Sequence, residues 1–546
     1  MKGPARVPSL LRYFHTLRYL KWSQMVNRLL FRFSRPRPDH RPAPPVRPAS
    51  GPWTQCARPS SMRGPARFRF LSIEHDLVTA ADWNCPSWPK LWLYNLHYFD
   101  DMNADRAADR LAWHRALIAR WIAENPPATG NGWEPYPVSL RIVNWVKWSL
   151  AGTPLQPDWR QSLAVQARWL RRRLERHLLG NHLFANAKAL VFAGAYFDGP
   201  EAREWLETGL TILQRELFEQ VLTDGGHFER SPMYHAITCE DVLDLVQLSQ
   251  RYPGCIPSET VRRWHDTAGR MLGWLRVMTH PDGEIVQFND AAFGIAPVPA
   301  HLYEYARSMG IETPVSVGAV VQLKETGYVR LERGPAVAFL DTAPIGPDYL
   351  PGHAHADTLT FELSLFGQRW IVDSGCSRYD SGPERLRQRG TAAHNTVVVD
   401  GADSSEVWGS FRVARRACVQ PATVAERNGT CTVSAGHDGY VRLPGRVIHT
   451  RSVTLSQAGM EIVDELSGRY GTATMHLLLH PEVEVRQTAS DRLELQRDGH
   501  SVTLGVTNGS ARIEPSTWHP EFGSSLPTNR LCLTFATSRL SSRLSW

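Results

Sequence analysis

The spacing of apolar residues changes once along the chain, and the change divides it. From about residue 90 to 310 apolar positions recur at helical spacing, as in 104–125 with Leu111, Trp113, Leu117, Ile118 and Trp121. The same period predicts helices over 138–152, 160–179, 182–197, 203–222, 236–252 and 258–279, with glycine, proline or asparagine near most breaks. Near 318 the period falls to two, and runs such as GAVVQLKETGYVRLERGPAVAFLDT read as short strands joined by Gly-rich turns. The expected organisation is multidomain α+β: stacked helical hairpins over 90–312, then an antiparallel β-sandwich over 313–546. A groove where the two meet is a natural ligand site.

Residues 1–89 form a basic, Pro-rich segment. Within it, 8–34 predicts a basic amphipathic helix that packs on the main body or lies on a membrane surface, packing being the expectation. The run 35–66 is too rich in proline for helix and is expected to wrap in extended form. Much of the net charge of +7 sits in the first 70 residues, which suits an anionic partner. No nucleic-acid motif is legible, so an acidic polysaccharide or anionic lipid is preferred. The 19 tryptophans and 15 tyrosines suit a sugar-binding cleft or a large core. Eight scattered cysteines without a C-x-x-C pair read as free thiols. Charged residues interrupt every apolar run near the N-terminus, so no signal peptide is read, and no run of eighteen apolar residues exists. The expected location is the cytoplasm, with a periplasmic or membrane-peripheral site as the alternative.

Chemistry-bearing residues concentrate in 351–400. His353 and His355 are separated by one residue, so an extended backbone projects both side chains to one face. Strands are expected over Leu359–Leu365 and Trp370–Val372, closed by Asp373, with a third opening at His394. Imidazole and carboxylate suit a zinc-like divalent ion. Three polar segments stand out upstream. One holds Trp133, Tyr136 and Arg141; another holds Asn181, His182, Asn186 and Lys188; the third holds His227, Glu229, Arg230, Ser231, Tyr234 and His235. Taken singly, Asn181 reads as a helix cap and Tyr234 as a core tyrosine.

Taken together, GNHLFANAKAL, DGGHFERSPMYH, GHAHADTLTFEL, DSGCSRY and TAAHNTVVVDG, in that order, resemble the heparinase II/III family of polysaccharide lyases, over roughly residues 90 to 540. The resemblance implies an incomplete (α/α) toroid followed by an antiparallel β-sandwich, and an acidic glycan, such as a glycosaminoglycan or alginate, cut by β-elimination. It assigns Asn181, Tyr234 and His353 to catalysis. His182, Trp133, Tyr136, Arg141, Glu229, Arg230, His235, Tyr379 and Arg389 become substrate contacts. His355, Asp373 and His394 become ligands of a divalent metal, zinc by donor type, bracing the strand that carries His353. Members of this kind accompany exopolysaccharide or lipopolysaccharide metabolism.

Two rivals follow from the same residues. A glycoside hydrolase on the toroid needs a pair of carboxylates, and Glu134, Glu229 and Asp290 are available. A non-catalytic glycan-binding or assembly factor would keep the fold without turnover.

Overall fold

The computed structural model describes residues 10–313 and 316–546. Pro8 and Ser9 of the expected first helix, and residues 314 and 315 at the expected domain boundary, lie outside the described residues. The helical half runs through Lys90–Tyr98, Leu111–Glu124, Pro135–Leu150, Pro157–Arg172, Gly180–Tyr196, Pro200–Gln220, Pro232–Arg251, Ser258–Val277 and Pro299–Ser308. These helices form the (α/α) toroid. Several begin on proline, whose fixed φ suits the first turn and whose missing N–H costs nothing there. For that reason they start three or four residues before the apolar period becomes legible. Gly180–Tyr196 is buried along nearly its whole length, so the other helices enclose it. Trp83, Trp92, Trp121, Trp145, Trp205, Trp264 and Trp274 fill the interior, so much of the tryptophan content builds core rather than a sugar cleft.

A short hairpin, Arg67–Phe70 with Ile73–Asp76, precedes the toroid; after it the strands begin at Val320 and form three main antiparallel sheets. A five-stranded meander joins Val320–Leu323, Tyr328–Arg333, Ala336–Asp341, Phe361–Leu365 and Gln368–Ile371. An eight-stranded sheet carries Thr423–Arg427 at one edge and Glu484–Ala489 at the other. A four-stranded sheet includes Val397–Val399, which pairs with Ala473–Leu478. Alternate residues along Val447–Ser456 are buried, as a sheet with one face on the core requires. The strand after His394 therefore lies in a different sheet from Phe361–Leu365, and the two sheets adjoin where Asn395 donates to Phe361 O and Val372 O.

The described residues before the toroid are docked on the body. Extended chain crosses the ends of three helices: Arg47 N donates to Tyr196 O (2.8 Å), Ser50 N to Arg251 O (2.7 Å) and Trp53 N to Leu150 O (3.0 Å). Each acceptor is a last-turn carbonyl that its own helix cannot satisfy. The N-terminal amphipathic run is two helices, Leu10–Leu17 and Trp22–Phe33. Among the described residues no helix is long and apolar enough to cross a membrane.

Candidate active site and metal cluster

The site lies where the N-termini of two toroid helices meet the loop 351–360 of the sandwich. Ser231 caps Pro232–Arg251, its hydroxyl accepting from Tyr234 N, and this sets Tyr234 in the first turn. The Tyr234 ring lies 3.9 Å from that of His353, tilted by 30°, and its hydroxyl meets the Tyr379 hydroxyl at 3.1 Å. Burial drives the Tyr234 phenol well above its ordinary value, with the Tyr379 hydrogen bond working in the opposite direction.

At the N-terminus of Gly180–Tyr196 the backbone of Gly180 has φ +56°, and a Cβ there would stand 2.3 Å from Leu350 Cδ2 and 3.2 Å from Glu229 Oε1. Glycine thus lets both the sandwich loop and Glu229 approach this helix end. Glu229 is buried, the backbone N–H of Asn181 faces its carboxylate, and Oε2 lies 3.6 Å from His353 Nε2. Burial raises its pKa, opposed by His353 and His182. His182 packs on Tyr136 at 4.6 Å and bonds Glu175 Oε1 through Nδ1 at 3.1 Å. Burial would depress the His182 pKa, but Glu175 outweighs it and the net shift is upward.

Asp290 ties this cleft to the sandwich interior. Its carboxylate meets His353 Nδ1 at 3.0 Å, His355 Nε2 at 2.8 Å and the Arg385 guanidinium, one arm of which is at 2.7 Å. Burial alone would raise its pKa; Arg385 and the two imidazoles hold it well below the usual carboxylate range. By accepting from Nδ1–H, Asp290 leaves the lone pair of a neutral His353 on Nε2, toward the cleft.

Beyond Asp290 lies a second, sealed cluster. Ligand atoms of His355, Asp357 and His394 lie within 4.8 Å of one another, and all three residues are buried. His355 gives Nε2 to Asp290 and keeps a bare Nδ1; His394 bonds Asp373 Oδ2 through Nδ1 at 2.7 Å and keeps a bare Nε2. Each imidazole thus has one nitrogen on a carboxylate and the other unpaired, as in a metal-ligating histidine. Burial, with Asp373 adding to it, raises Asp357 to about 6, and burial raises Asp373 as well. An excess of buried carboxylates facing two orphaned imidazole nitrogens fits a divalent cation. The carboxylate in the tightest group is Asp357; Asp373, expected as a ligand, orients His394.

Of the other expected contacts, several are structural. Arg141 is buried over Trp121, donating to Gln166, to His97 O and to Gly132 O. Trp133 is buried and donates to Asn125 O. Arg230 points away from the cleft, to the carbonyls of Thr326 and Glu325. His235 stacks on Trp274, bonds Met271 O, and is lowered by burial to about 3, so it brings no positive charge to Tyr234. Arg389 is buried and braces Ala354 O, between the two site histidines. Tyr136, Asn181, His182, Glu229 and Tyr379 do border the cleft. Sequence reasoning missed Arg385 and Asp357, and weighed Asp290 only for hydrolysis. Asp357 continues the alternation His353, His355, and that spacing was the available signal. For hydrolysis, Glu134 is engaged by Lys90 and Tyr94 and Asp290 by three donors, so no free carboxylate pair flanks the cleft.

Comparison with known proteins bears on this site. Residues 106–308 match the heparinase II/III N-terminus and 317–546 match the heparinase II/III-like C-terminal family. A heparin-sulfate lyase of Bacteroides stercoris is 28% identical over 242 residues, 40% of this chain and 36% of that protein. One of Pedobacter heparinus is 26% identical over 244 residues, with the same two shares. The alignments thus span little more than a third of these relatives. Among solved structures, a heparinase III aligns with TM-score 0.67 and 21% identity over 82% of this chain and 76% of its own. A heparan sulfate lyase from Pedobacter heparinus aligns with TM-score 0.58 and 19% identity over 88% and 81%. At these identities the likeness carries the fold.

Proposed function

The chain belongs to the heparinase II/III family, and from that premise we propose that it is a polysaccharide lyase cleaving a uronate-bearing acidic polymer by β-elimination. The observation that carries the reading is the stacked Tyr234–His353 pair, contributed by the two halves of the molecule and held by Asp290. The relatives, which are heparin-sulfate lyases, support a glycosaminoglycan-like substrate.

In a 1,4-linked uronide the C5 proton is weakly acidic because its carboxylate is already charged. The enolate that forms must be met by hydrogen-bond donors where charge develops. The N-terminus of Gly180–Tyr196, with Asn181 and His182, presents backbone donors and a favourable helix end. Burial raises the pKa of Glu229 beside it, which weakens the competition of that carboxylate for the same donors. His353 Nε2 takes the C5 proton, its ring fixed by Asp290. Tyr234 holds its proton to high pH and delivers it to the departing O4, completing an elimination that leaves a C4–C5 unsaturated uronate at one new end and a new reducing end on the departing fragment.

A divalent metal, zinc by donor type, would be held by His355, Asp357 and His394, with Asp290 and Asp373 orienting the two imidazoles. It would supply a fixed positive charge that braces the loop carrying His353.

The test is incubation with a panel of uronate polymers while the ultraviolet absorbance of an unsaturated uronate is followed. The expected result is rising absorbance with new chain ends. New reducing ends without absorbance, or tight binding with neither, would overturn the proposal in favour of a hydrolase or an assembly factor.

A further inference from the structure

The helix Trp22–Phe33 is docked on its polar side. Gln24 is its one buried residue; its side chain donates to Tyr349 O at 3.3 Å, and Phe31 packs against His177 at 4.2 Å. The opposite side carries Trp22, Met25, Val26, Leu29, Leu30 and Phe33, spaced three and four residues apart, so they form one stripe. Trp22 is 74% exposed, Leu29 and Leu30 60%, and Phe33 77%. The preceding helix likewise presents Leu10 at 88% and Phe14 at 61%. A soluble protein does not ordinarily leave so continuous an apolar surface in water.

The charge around this stripe identifies what covers it. Residues 10–38 contain Arg12, Arg18, Lys21, Arg28, Arg32, Arg35 and Arg37 and no aspartate or glutamate. Arg28, Arg32 and Arg35 make no ion pair among the described residues; with Arg173 and His177 they line an open cleft of about 520 Å³ beside the stripe. A second copy of the same surface would set these cations against one another. An acidic polysaccharide would satisfy the arginines but offers nothing for the leucines and Phe33 to enter. An anionic lipid surface satisfies both, headgroups meeting the arginines and acyl chains receiving the apolar stripe.

We infer that the N-terminal helix pair is an interfacial anchor that binds the protein to anionic bilayers. The pair also touches both lobes near the cleft. Tyr13 packs edge-on against Trp408 at 5.0 Å, Lys21 lies over Tyr349 at 3.7 Å, and Leu350 and Phe411, close by in the chain, stand beside Gly180 and His353. Lipid contact would therefore hold the cleft close to the bilayer.

Flotation of the full chain with vesicles tests this independently of the lyase reading. At low salt the protein should float with phosphatidylglycerol–phosphatidylcholine vesicles and stay behind with phosphatidylcholine alone. Leu29→Asp with Leu30→Asp should weaken flotation about tenfold or more with an unchanged melting temperature, and Arg28→Glu with Arg32→Glu should remove its salt dependence. Three results would overturn the inference. One is no flotation with anionic vesicles. Another is flotation indifferent to the Leu29 and Leu30 changes. The third is an apolar stripe that instead mediates a dimer, or arginines that bind acidic polysaccharide, without lipid partition.

Discussion

On one side of Asp290, His353 faces a half-open space shared with Tyr234, Tyr379, His182 and Glu229. On the other, His355 faces Asp357 and His394 in a sealed interior. Both sets hold histidines and carboxylates, yet the charge is arranged in opposite ways. The sealed side has more carboxylates than donors, with Asp357 and Asp373 raised by burial and two imidazole nitrogens unpaired. The open side sets a phenol far from ionising and a carboxyl raised by burial beside an imidazole, His182, raised by its carboxylate neighbours. Surplus negative charge suits a resident cation. An opening lined by donors, with less fixed negative charge, suits an incoming anion that must lose a proton. Counting histidines would not separate the two; what each nitrogen touches does.

The sharpest break of this contrast is Tyr234→Phe. It should lower turnover about a thousandfold by removing the proton donor, with metal content and melting temperature preserved. Full activity in steady-state assays would take Tyr234 out of the mechanism. Asp290→Asn should damage both sides at once. It leaves Arg385 buried without its partner, costing about 3–5 kcal/mol in denaturant unfolding, and frees the His353 ring, costing about a hundredfold in kcat. On the sealed side alone, Asp373→Asn should weaken metal affinity about 10–100-fold while Asp357→Ala abolishes metal stoichiometry. Metal analysis giving the reverse order would restore Asp373 as the ligand.

A smaller effect concerns pH. His97 and His235 are held neutral by burial, each lowered to about 3 from an ordinary 6.5. The stability each lends is complete above pH 6.5 and is lost as pH falls toward 3, because the unfolded chain takes up the proton first. The loss is about 1.4 kcal/mol per pH unit per histidine, and His97→Gln should flatten that slope in thermal melts. Least of all, Arg230→Ala should leave kcat and KM within about twofold, as its guanidinium serves backbone carbonyls away from the cleft.

Much of the helical half was legible because the apolar period persists through every turn. Helix starts were not, since proline reads as a breaker yet occupies the first position at Pro135, Pro157, Pro200 and Pro232. Asn181, Tyr234 and His353 could be named from their polar surroundings. Arg141, His235 and Arg389 sit in equally polar stretches, and only the partners their side chains take in the fold separate them from the site. Asp290 gave no local sign. Its importance comes from partners 63, 65 and 95 residues away, a relation that no window of sequence contains.

The extended run before the toroid carries a practical lesson about where this protein ends. Its amides close the carbonyl ends at Leu150, Tyr196 and Arg251, and Trp53, Cys56 and Met62 are seated in the same interior as the helices they cross. An experimenter who trims the chain to the region matched by the family models, from residue 106 onward, would strip a fitted lid from the helical body. The unit those models recognise is smaller than the packed unit, and expression boundaries should follow the latter.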